Sequence, residues 1–222
     1  MYRPLHSYVA FPWHLIRRGD RRDLLPWLHS LAPQPLRPVQ PWLVFAAIRA
    51  LAAVDLRGAQ IVEYGSGAST RYWLQRGAHL ISIEHDPHWY ARVRRTISSN
   101  ALLDYRLVPP VPAPPADPAD PAAYASAALP GYSFQHYVQQ IDPLPDASLD
   151  LVLVDGRARS ACVAHAIPKL RPGGLLILDN ADRAYYTAQL GTALAAFSAQ
   201  HYTGAIPGAP VFSQTTFYWR SR

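Results

Sequence analysis

Ile61-Val62-Glu63-Tyr64-Gly65-Ser66-Gly67-Ala68-Ser69-Thr70 passes from an apolar run through a glycine-rich turn into residues that can open a helix. Gly65 and Gly67 carry no Cβ, so the backbone there can approach a ligand closely. Ser69 or Thr70 can cap the helix that follows. A glycine-rich strand end alone does not make a site, but three neighbours sharpen it. Glu84 ends the next apolar run, Leu80-Ile81-Ser82-Ile83, about twenty residues after the turn, where an acid can accept both hydroxyls of a ribose. Thr70 stands where a dinucleotide fingerprint wants glycine for close packing around a pyrophosphate, which weakens that reading. Glu63, just before the glycines, sits poorly beside a polyphosphate and suits a ligand carrying an ammonium group.

Outward from this turn, short apolar runs alternate with longer helical segments, the signature of β-α-β units and a parallel sheet. Strands are expected at Ile61–Tyr64, Leu80–Glu84, Tyr105–Val108, Leu149–Val154 and Leu175–Leu178, and helices at Thr70–Arg76, His88–Ser98, Arg159–Leu170 and Arg183–Phe197. Gln214–Arg220, rich in threonine and aromatics, is expected as a final antiparallel strand paired with the segment around His201. The fold class is therefore α/β and Rossmann-like, a mostly parallel seven-stranded sheet with helices on both faces. Residues 41–222 form this domain, opening with a helix from Pro41 to about Val54 in which Trp42, Phe45, Ala46, Arg49 and Ala53 follow helical spacing. Residues 1–40 form an N-terminal helical extension over one side of the cleft. Prolines at 4, 12, 26, 33, 35 and 38 predict short helical turns there and no long helix.

Within the domain, residues 109–131 are a Pro/Ala-rich inserted loop. Its first part, PPVPAPPADPADP, holds too much proline for a helix or an interior strand. It leads into Tyr132, Phe134, His136 and Tyr137, and is either a lid carrying ligand contacts or a plain surface insertion.

Composition bounds the function. A chain of 222 residues, half hydrophobic and 16% charged, suits one globular domain with a buried core, despite 22 prolines. The single cysteine, Cys162, cannot form an internal disulfide and reads as a small buried residue. No export signal is visible, and the longest apolar stretch, Trp42–Val54, is interrupted by Arg49 and too short to span a membrane. Cytoplasmic placement is expected. The net charge of +6 permits an acidic partner, but the basic residues are scattered; even Arg17, Arg18, Arg21 and Arg22 read as a solvated face rather than a nucleic-acid site.

Four motifs in order carry a family resemblance: Glu63-Tyr64-Gly65-Ser66-Gly67, then Ile83-Glu84-His85-Asp86, then Asp150-Leu151-Val152-Leu153-Val154-Asp155-Gly156, then Leu170-Arg171-Pro172-Gly173-Gly174-Leu175-Leu176-Ile177-Leu178-Asp179-Asn180. Over about Pro41 to Arg220 the chain resembles the class I S-adenosylmethionine-dependent methyltransferases, departing from their first motif in having Ser69 at the third small position. The resemblance implies that Gly65 and Gly67 contact the methionine part of the cofactor, with Ser66, Ser69 and Thr70 completing the turn. It implies further that Glu63 bonds the cofactor's ammonium, directly or through water, and that Glu84 holds the ribose. His85 belongs to the same cofactor-binding set, and it and Trp73 are candidates to contact the adenine.

Asp155, at the carboxyl end of a central strand, could orient cofactor or acceptor, or take the acceptor's proton. Asp155, Asp179 and Asn180 also resemble the metal triad of catechol O-methyltransferase and its relatives, so Mg²⁺ enters as a candidate cofactor. Against a metal, Arg157 and Arg159 bring two cations to the same place and favour an anionic acceptor; Asp179-Asn180 also reads as a strand-end turn capping the next helix. Of the histidines His85, His136 and His165, the expected acid/base group is His136, in the aromatic stretch after the loop. The expected reaction is methyl transfer to an oxygen or nitrogen of a small-molecule or glycan-type acceptor. An NAD(P)-dependent oxidoreductase, a non-catalytic binding module and a nucleic-acid methyltransferase are the competing readings. Oligomeric state is not legible in the sequence.

Overall fold

Strands β1 (Gln60–Tyr64), β2 (His79–Glu84), β3 (Leu103–Leu107), β4 (Leu149–Val154), β5 (Leu170–Asp179), β6 (Phe197–Ala205) and β7 (Phe212–Arg220) form one sheet in the order β3-β2-β1-β4-β5-β7-β6. The structure is a computed structural model that describes residues 5–18, 20–32 and 39–222. β1 through β5 pair in parallel, and β7 runs antiparallel to both β5 and β6. This is the expected seven-stranded α/β architecture. From β1 the chain winds outward to β2 and β3, then crosses back to place β4 on the other side of β1. Such a reversal leaves a crevice at the carboxyl ends of the two central strands.

The α-helices of the described chain are α1 (Leu5–Arg17), α2 (Leu24–Ser30), α3 (Phe45–Ala52), α4 (Ala68–Gln75), α5 (Pro87–Arg94), α6 (Gln135–Val138), α7 (Arg159–Lys169) and α8 (Gly191–Leu194). Alternation along the strands splits the core into two layers. Val62, Tyr64, Val152, Val154, Leu176 and Leu178 share one cluster with Tyr137 of α6 and Cys162 of α7. Ile61, Leu151, Leu153, Leu175 and Ile177 share the other with Ala47 of α3 and Trp73 of α4. With both faces covered, the central strands read as continuous apolar runs.

The extension differs from expectation. α1 is thirteen residues long and contains Pro12. An interior proline costs about 3 kcal/mol, but Phe11 and Leu15 on this helix are buried against Trp27 and Phe45, and burying two such side chains contributes roughly 3–6 kcal/mol. The packing outweighs the break. Prolines 4, 33, 35 and 38 lie outside the described residues. Trp27 Nε1 donates to Ala209 O at 2.9 Å and Arg49 pairs with the buried Asp23, tying the extension to the main domain.

Other boundaries shift as well, and α5 ends at Arg94, short of the expected Ser98. α3 begins at Phe45, because Val44 is still extended and its amide donates to Thr215 Oγ1 at 3.3 Å on β7. The helix expected over Arg183–Phe197 is instead a 3₁₀ turn at Ala184–Tyr186 and the short α8, because Phe197 already belongs to β6, whose register with β7 starts at Arg220. The proline-rich loop is pinched at its base, where Val111–Pro112 pairs antiparallel with Tyr132–Ser133. Among the described residues no helix is long and apolar enough to cross a membrane.

Candidate functional site

The crevice predicted by the strand order is present as a cleft of about 480 Å³, floored by Gly65, Ser66 and Asp155 and walled by Glu84, Trp89 and Trp42. Its floor is held tight by backbone bonds. Gly65 N donates to Ile83 O and Asp155 N to Tyr64 O, both at 2.9 Å, so the ends of β2, β1 and β4 are drawn together. Gly65 has φ +94°, and a Cβ there would lie 2.9 Å from Asp155 O. Gly67 is extended, and a Cβ there would meet only the Trp89 ring at 3.9 Å. The two glycines of the motif therefore do different work, one closing strand against strand and the other leaving space beside an aromatic wall. Gly65→Ala should lose about 2–4 kcal/mol from combined backbone strain and overlap, while Gly67→Ala should unfold in denaturant within about 1 kcal/mol of the natural chain. Equal stability of the two variants would show that the close approach at Gly65 is not needed.

The other residues of the motif lie beneath this floor. Glu63 is completely buried and accepts from Trp73 Nε1 at 2.9 Å, from Ser82 Oγ at 2.6 Å and from Thr70 Oγ1. Thr70 Oγ1 in turn accepts from Gly67 N at 2.9 Å. Burial drives the Glu63 carboxyl above its ordinary range, against the lowering effect of the hydroxyls and of the Trp73 N–H. Glu63 thus braces the turn from below and does not line the cleft. Ser69 and Thr70 are buried on α4 with it. Trp73 is a core residue bonded to Glu63, so of the two aromatic candidates only His85 lines the cleft.

Glu84 carries the clearest polar geometry in the cleft. Its Oε2 accepts from Ser66 N at 3.0 Å and Ser66 Oγ at 2.9 Å; its Oε1 accepts from His85 N at 2.8 Å and Asp86 N at 2.9 Å. His85 Nδ1 lies 2.8 Å from the same Oε1. Burial pushes the carboxyl upward, but His85 and the surrounding amides outweigh it, and the net displacement is downward. Glu84 is therefore held as a carboxylate. Ser66 Oγ also meets the Tyr105 hydroxyl at 2.7 Å. Asp86 caps α5 by accepting from His88 N and Trp89 N, which brings Trp89 over the turn, where its Nε1 donates to Ser66 O at 2.8 Å. Neither Trp89 nor Trp42 was picked out by sequence reasoning; the available signal for Trp89 was its place in the first turn of a helix capped by the acid at the end of β2.

Asp155 and Asp179 face each other across the carboxyl ends of β4 and β5, with Arg159 between them. Arg159 is 7% exposed; its Nη2 pairs with Asp155 Oδ1 at 2.9 Å and its Nη1 lies 3.9 Å from Asp179 Oδ2. It also donates to the backbone carbonyls of Gly156 and Asp179. Burial, then the neighbouring Asp179, pushes Asp155 well above the ordinary carboxylate range, and Arg159 pulls it back. Asp179 is raised by burial and eased by Arg159 and by the Thr215 hydroxyl, which it accepts at 2.8 Å.

This arrangement corrects the expected metal triad. The cation between the two carboxylates is a guanidinium of the chain itself, and Asn180 Nδ2 donates to Asp179 Oδ2 at 2.8 Å and to Ser213 Oγ at 3.0 Å. Arg159 thus stands where the cation would, Asn180 turns a donor toward Asp179, and the three side chains do not fit Mg²⁺. Among the described residues no cluster of three or more His, Cys, Asp or Glu has metal-binding geometry. Asp179-Asn180 does form a strand-end turn, with Asn180 at φ +52°. It caps no helix; its side chains tie β5 to β7.

His136 is not brought to the cleft. It is exposed on α6, and its carbonyl accepts from Gln140 Nε2 at 3.0 Å. His165 lies on α7, its Nδ1 2.6 Å from Asp142 Oδ1. Cys162 is buried as expected.

The comparisons with known proteins agree with this geometry. A family model described as a methyltransferase domain matches residues 62–181, more than half of the chain. No curated protein matches the sequence. Among solved structures, the O-methyltransferase from Bacillus cereus, determined in complex with SAH, superposes with a TM-score of 0.56 at 16% identity over 96% of this chain and 91% of that one. The precorrin-6y C5,15-methyltransferase from Geobacter metallireducens gives a TM-score of 0.51 at 13% identity over 79% and 88%. These likenesses bear on the fold; the family assignment rests on the domain match and on the four motifs around the cleft. The chain belongs to the methyltransferase domain family, within the class I S-adenosylmethionine-dependent methyltransferases.

Proposed function

We propose that the protein transfers the methyl group of S-adenosylmethionine to an oxygen or nitrogen of a small-molecule or glycan-type acceptor. The observation that carries this reading is the cleft-facing Glu84, kept ionised beside the Gly65-Ser66 turn and opposite Asp155. When bound, the cofactor supplies a methyl carbon made electrophilic by a positively charged sulfur. Glu84 would accept from the hydroxyls of its ribose in place of the Ser66 hydroxyl, while Gly65, Ser66 and Gly67 would leave room for the amino-acid part. His85, Trp89 and Trp42 offer flat surfaces to the purine.

The bound cofactor would supply the methyl carbon to an acceptor lone pair and would keep the carbon–sulfur bonding pair on sulfur as the leaving group. The acceptor's proton leaves to Asp155 or to water. A carboxyl pushed upward by burial has moved in the direction that suits a base working near neutrality. Holding the three reacting atoms in line can itself be worth roughly 7–11 kcal/mol.

Calorimetric titration with S-adenosylmethionine and S-adenosylhomocysteine tests the reading, followed by labelled-methyl transfer over an acceptor panel. Micromolar binding of both is expected. Because Arg159 occupies the place a metal would take, EDTA should leave affinity and turnover unchanged, and added Mg²⁺ should raise neither. Binding of a nicotinamide dinucleotide in place of the adenosyl compounds would overturn the assignment in favour of an oxidoreductase, and metal-dependent turnover would overturn the role given to Arg159.

A further inference from the structure

A second cavity of about 490 Å³ adjoins the cleft and shares Gly156, Arg157 and Asn180 with it. One wall is the turn from Arg157 into α7; the others are Arg183 with Tyr185 and Tyr186, and Pro118 with Ala125–Ala128 of the proline-rich loop. That stretch is anchored, because Ser160 Oγ donates to Pro118 O at 2.7 Å. The segment read as either lid or surface insertion thus lines a cavity beside the cleft.

The cavity is built for negative charge. None of its lining residues is acidic. Of its three arginines, Arg159 is neutralised by Asp155 and Asp179, whereas neither Arg157 nor Arg183 has a carboxylate within salt-bridge distance among the described residues. Asp182, next to Arg183 in sequence, accepts from Ser213 Oγ at 3.4 Å and pairs with no cation among the described residues. Arg157 Nε is buried without a hydrogen-bond partner. A buried donor in that state is costly unless something else supplies an acceptor. Arg183 Nη1 is oriented by the Tyr186 hydroxyl at 2.9 Å. α7 also begins here with no side-chain cap on Ala158, so the positive end of an eleven-residue helix meets the same space.

We propose that this second cavity is the acceptor pocket, and that it selects acceptors bearing an anionic oxy group, a carboxylate or a phosphate, gripped between Arg157 and Arg183. The proposal rests on the reading of the adjoining cleft as the methyl-donor site. Two forked guanidiniums favour a planar or tetrahedral oxyanion over a neutral polar group, and the shared Gly156-Arg157 edge sets the anchored acceptor beside the donor.

The test uses the full chain saturated with S-adenosylhomocysteine and three probes of similar size: benzoate, phenyl phosphate and neutral benzamide. At least one anion should bind in the millimolar range or tighter, about tenfold or more tighter than benzamide, and its affinity should fall as sodium chloride is raised. Whichever anion binds more tightly identifies the oxy group. Arg183→Gln, at an exposed position outside the cleft, should weaken the anion about tenfold and leave S-adenosylhomocysteine affinity unchanged. Benzamide binding as well as the anions, or an Arg183→Gln variant that binds them unchanged, overturns the pocket assignment while the donor site stands. Failure of the natural chain to bind S-adenosylhomocysteine removes both.

Discussion

Replacing Arg159 by leucine is expected to destabilise the folded chain by about 3–5 kcal/mol near neutral pH, a fall in Tm of roughly 10 °C for a chain of this size. The reason is electrostatic. Arg159 is 7% exposed and, among the described residues, is the one cation in contact with both Asp155 and Asp179; burial displaces both carboxyls upward, and the neighbouring Asp179 adds to the displacement of Asp155. Removing it leaves two carboxylates facing each other with no counter-charge, and also leaves the carbonyls of Gly156 and Asp179 without their donor.

The deficit should depend on pH in a defined direction. With Arg159 gone, the two carboxyls rise further above their unfolded value of about 3.9, so the folded state binds more protons than the unfolded one between those limits. Stability of the variant then increases as pH is lowered from neutrality toward the ordinary carboxylate range, and is lost again as pH rises through the folded-state values. Arg159→Lys should fall between, keeping the charge and losing the fork. Adding Asp179→Asn to Arg159→Leu should recover part of the loss. Denaturant titrations at several pH values read all of this. A deficit under 1 kcal/mol, or one that does not change with pH, would mean that something other than the guanidinium neutralises the pair.

The sheet was legible because parallel strands buried on both faces are written as uninterrupted apolar runs. Leu149–Val154 is found as expected, and the ends of the other strands move by a few residues, most at β5, whose early residues include Pro172 and two glycines. The same property hid Glu63. When both faces of a strand are covered, alternation does not tell which side meets a ligand, and Glu63 lies on the face that α4 seals. Helices read less well where tertiary packing overrides local signals, as at Pro12 and at Phe197. The place of Glu84 on the cleft wall was readable from spacing alone, since a strand end fixes both position and direction. The position of Arg159 between two carboxylates was not, although its i,i+4 relation to Asp155 across the start of α7 carried half of it. His136 followed from nothing but its neighbours in a loop, and a loop's path is set by anchors such as Ser160 on Pro118 that have no sequence signature.

Glu84→Gln should lower affinity for S-adenosylhomocysteine about a hundredfold or more. Two ribose hydroxyls donating to a carboxylate are charge-assisted bonds, each worth roughly 1.5–3 kcal/mol, and together that is about 3–6 kcal/mol, or more than two powers of ten in Kd. Glutamine keeps the shape of the side chain and loses the charge, and its amide nitrogen is a donor where Ser66 N and Oγ, or His85 N and Asp86 N, already donate. The variant therefore also loses stability, by about 1–3 kcal/mol for a buried donor left unpaired. A purely structural Glu84 would show that second effect alone. The two are separated by probing pieces of the ligand: adenosine, which has the ribose, should lose affinity as steeply as the whole compound, whereas 2′-deoxyadenosine, missing one hydroxyl, should bind the natural chain weakly and be less affected by the substitution. Because protein donors hold Glu84 below the ordinary range, its stabilising contribution is present above the unfolded value of about 4.3 and disappears only as pH falls through the lower folded value. Affinity should accordingly be flat through neutrality. Equal loss for adenosine and its deoxy form would place Glu84 beneath the site as a brace like Glu63, and the ribose would need another partner.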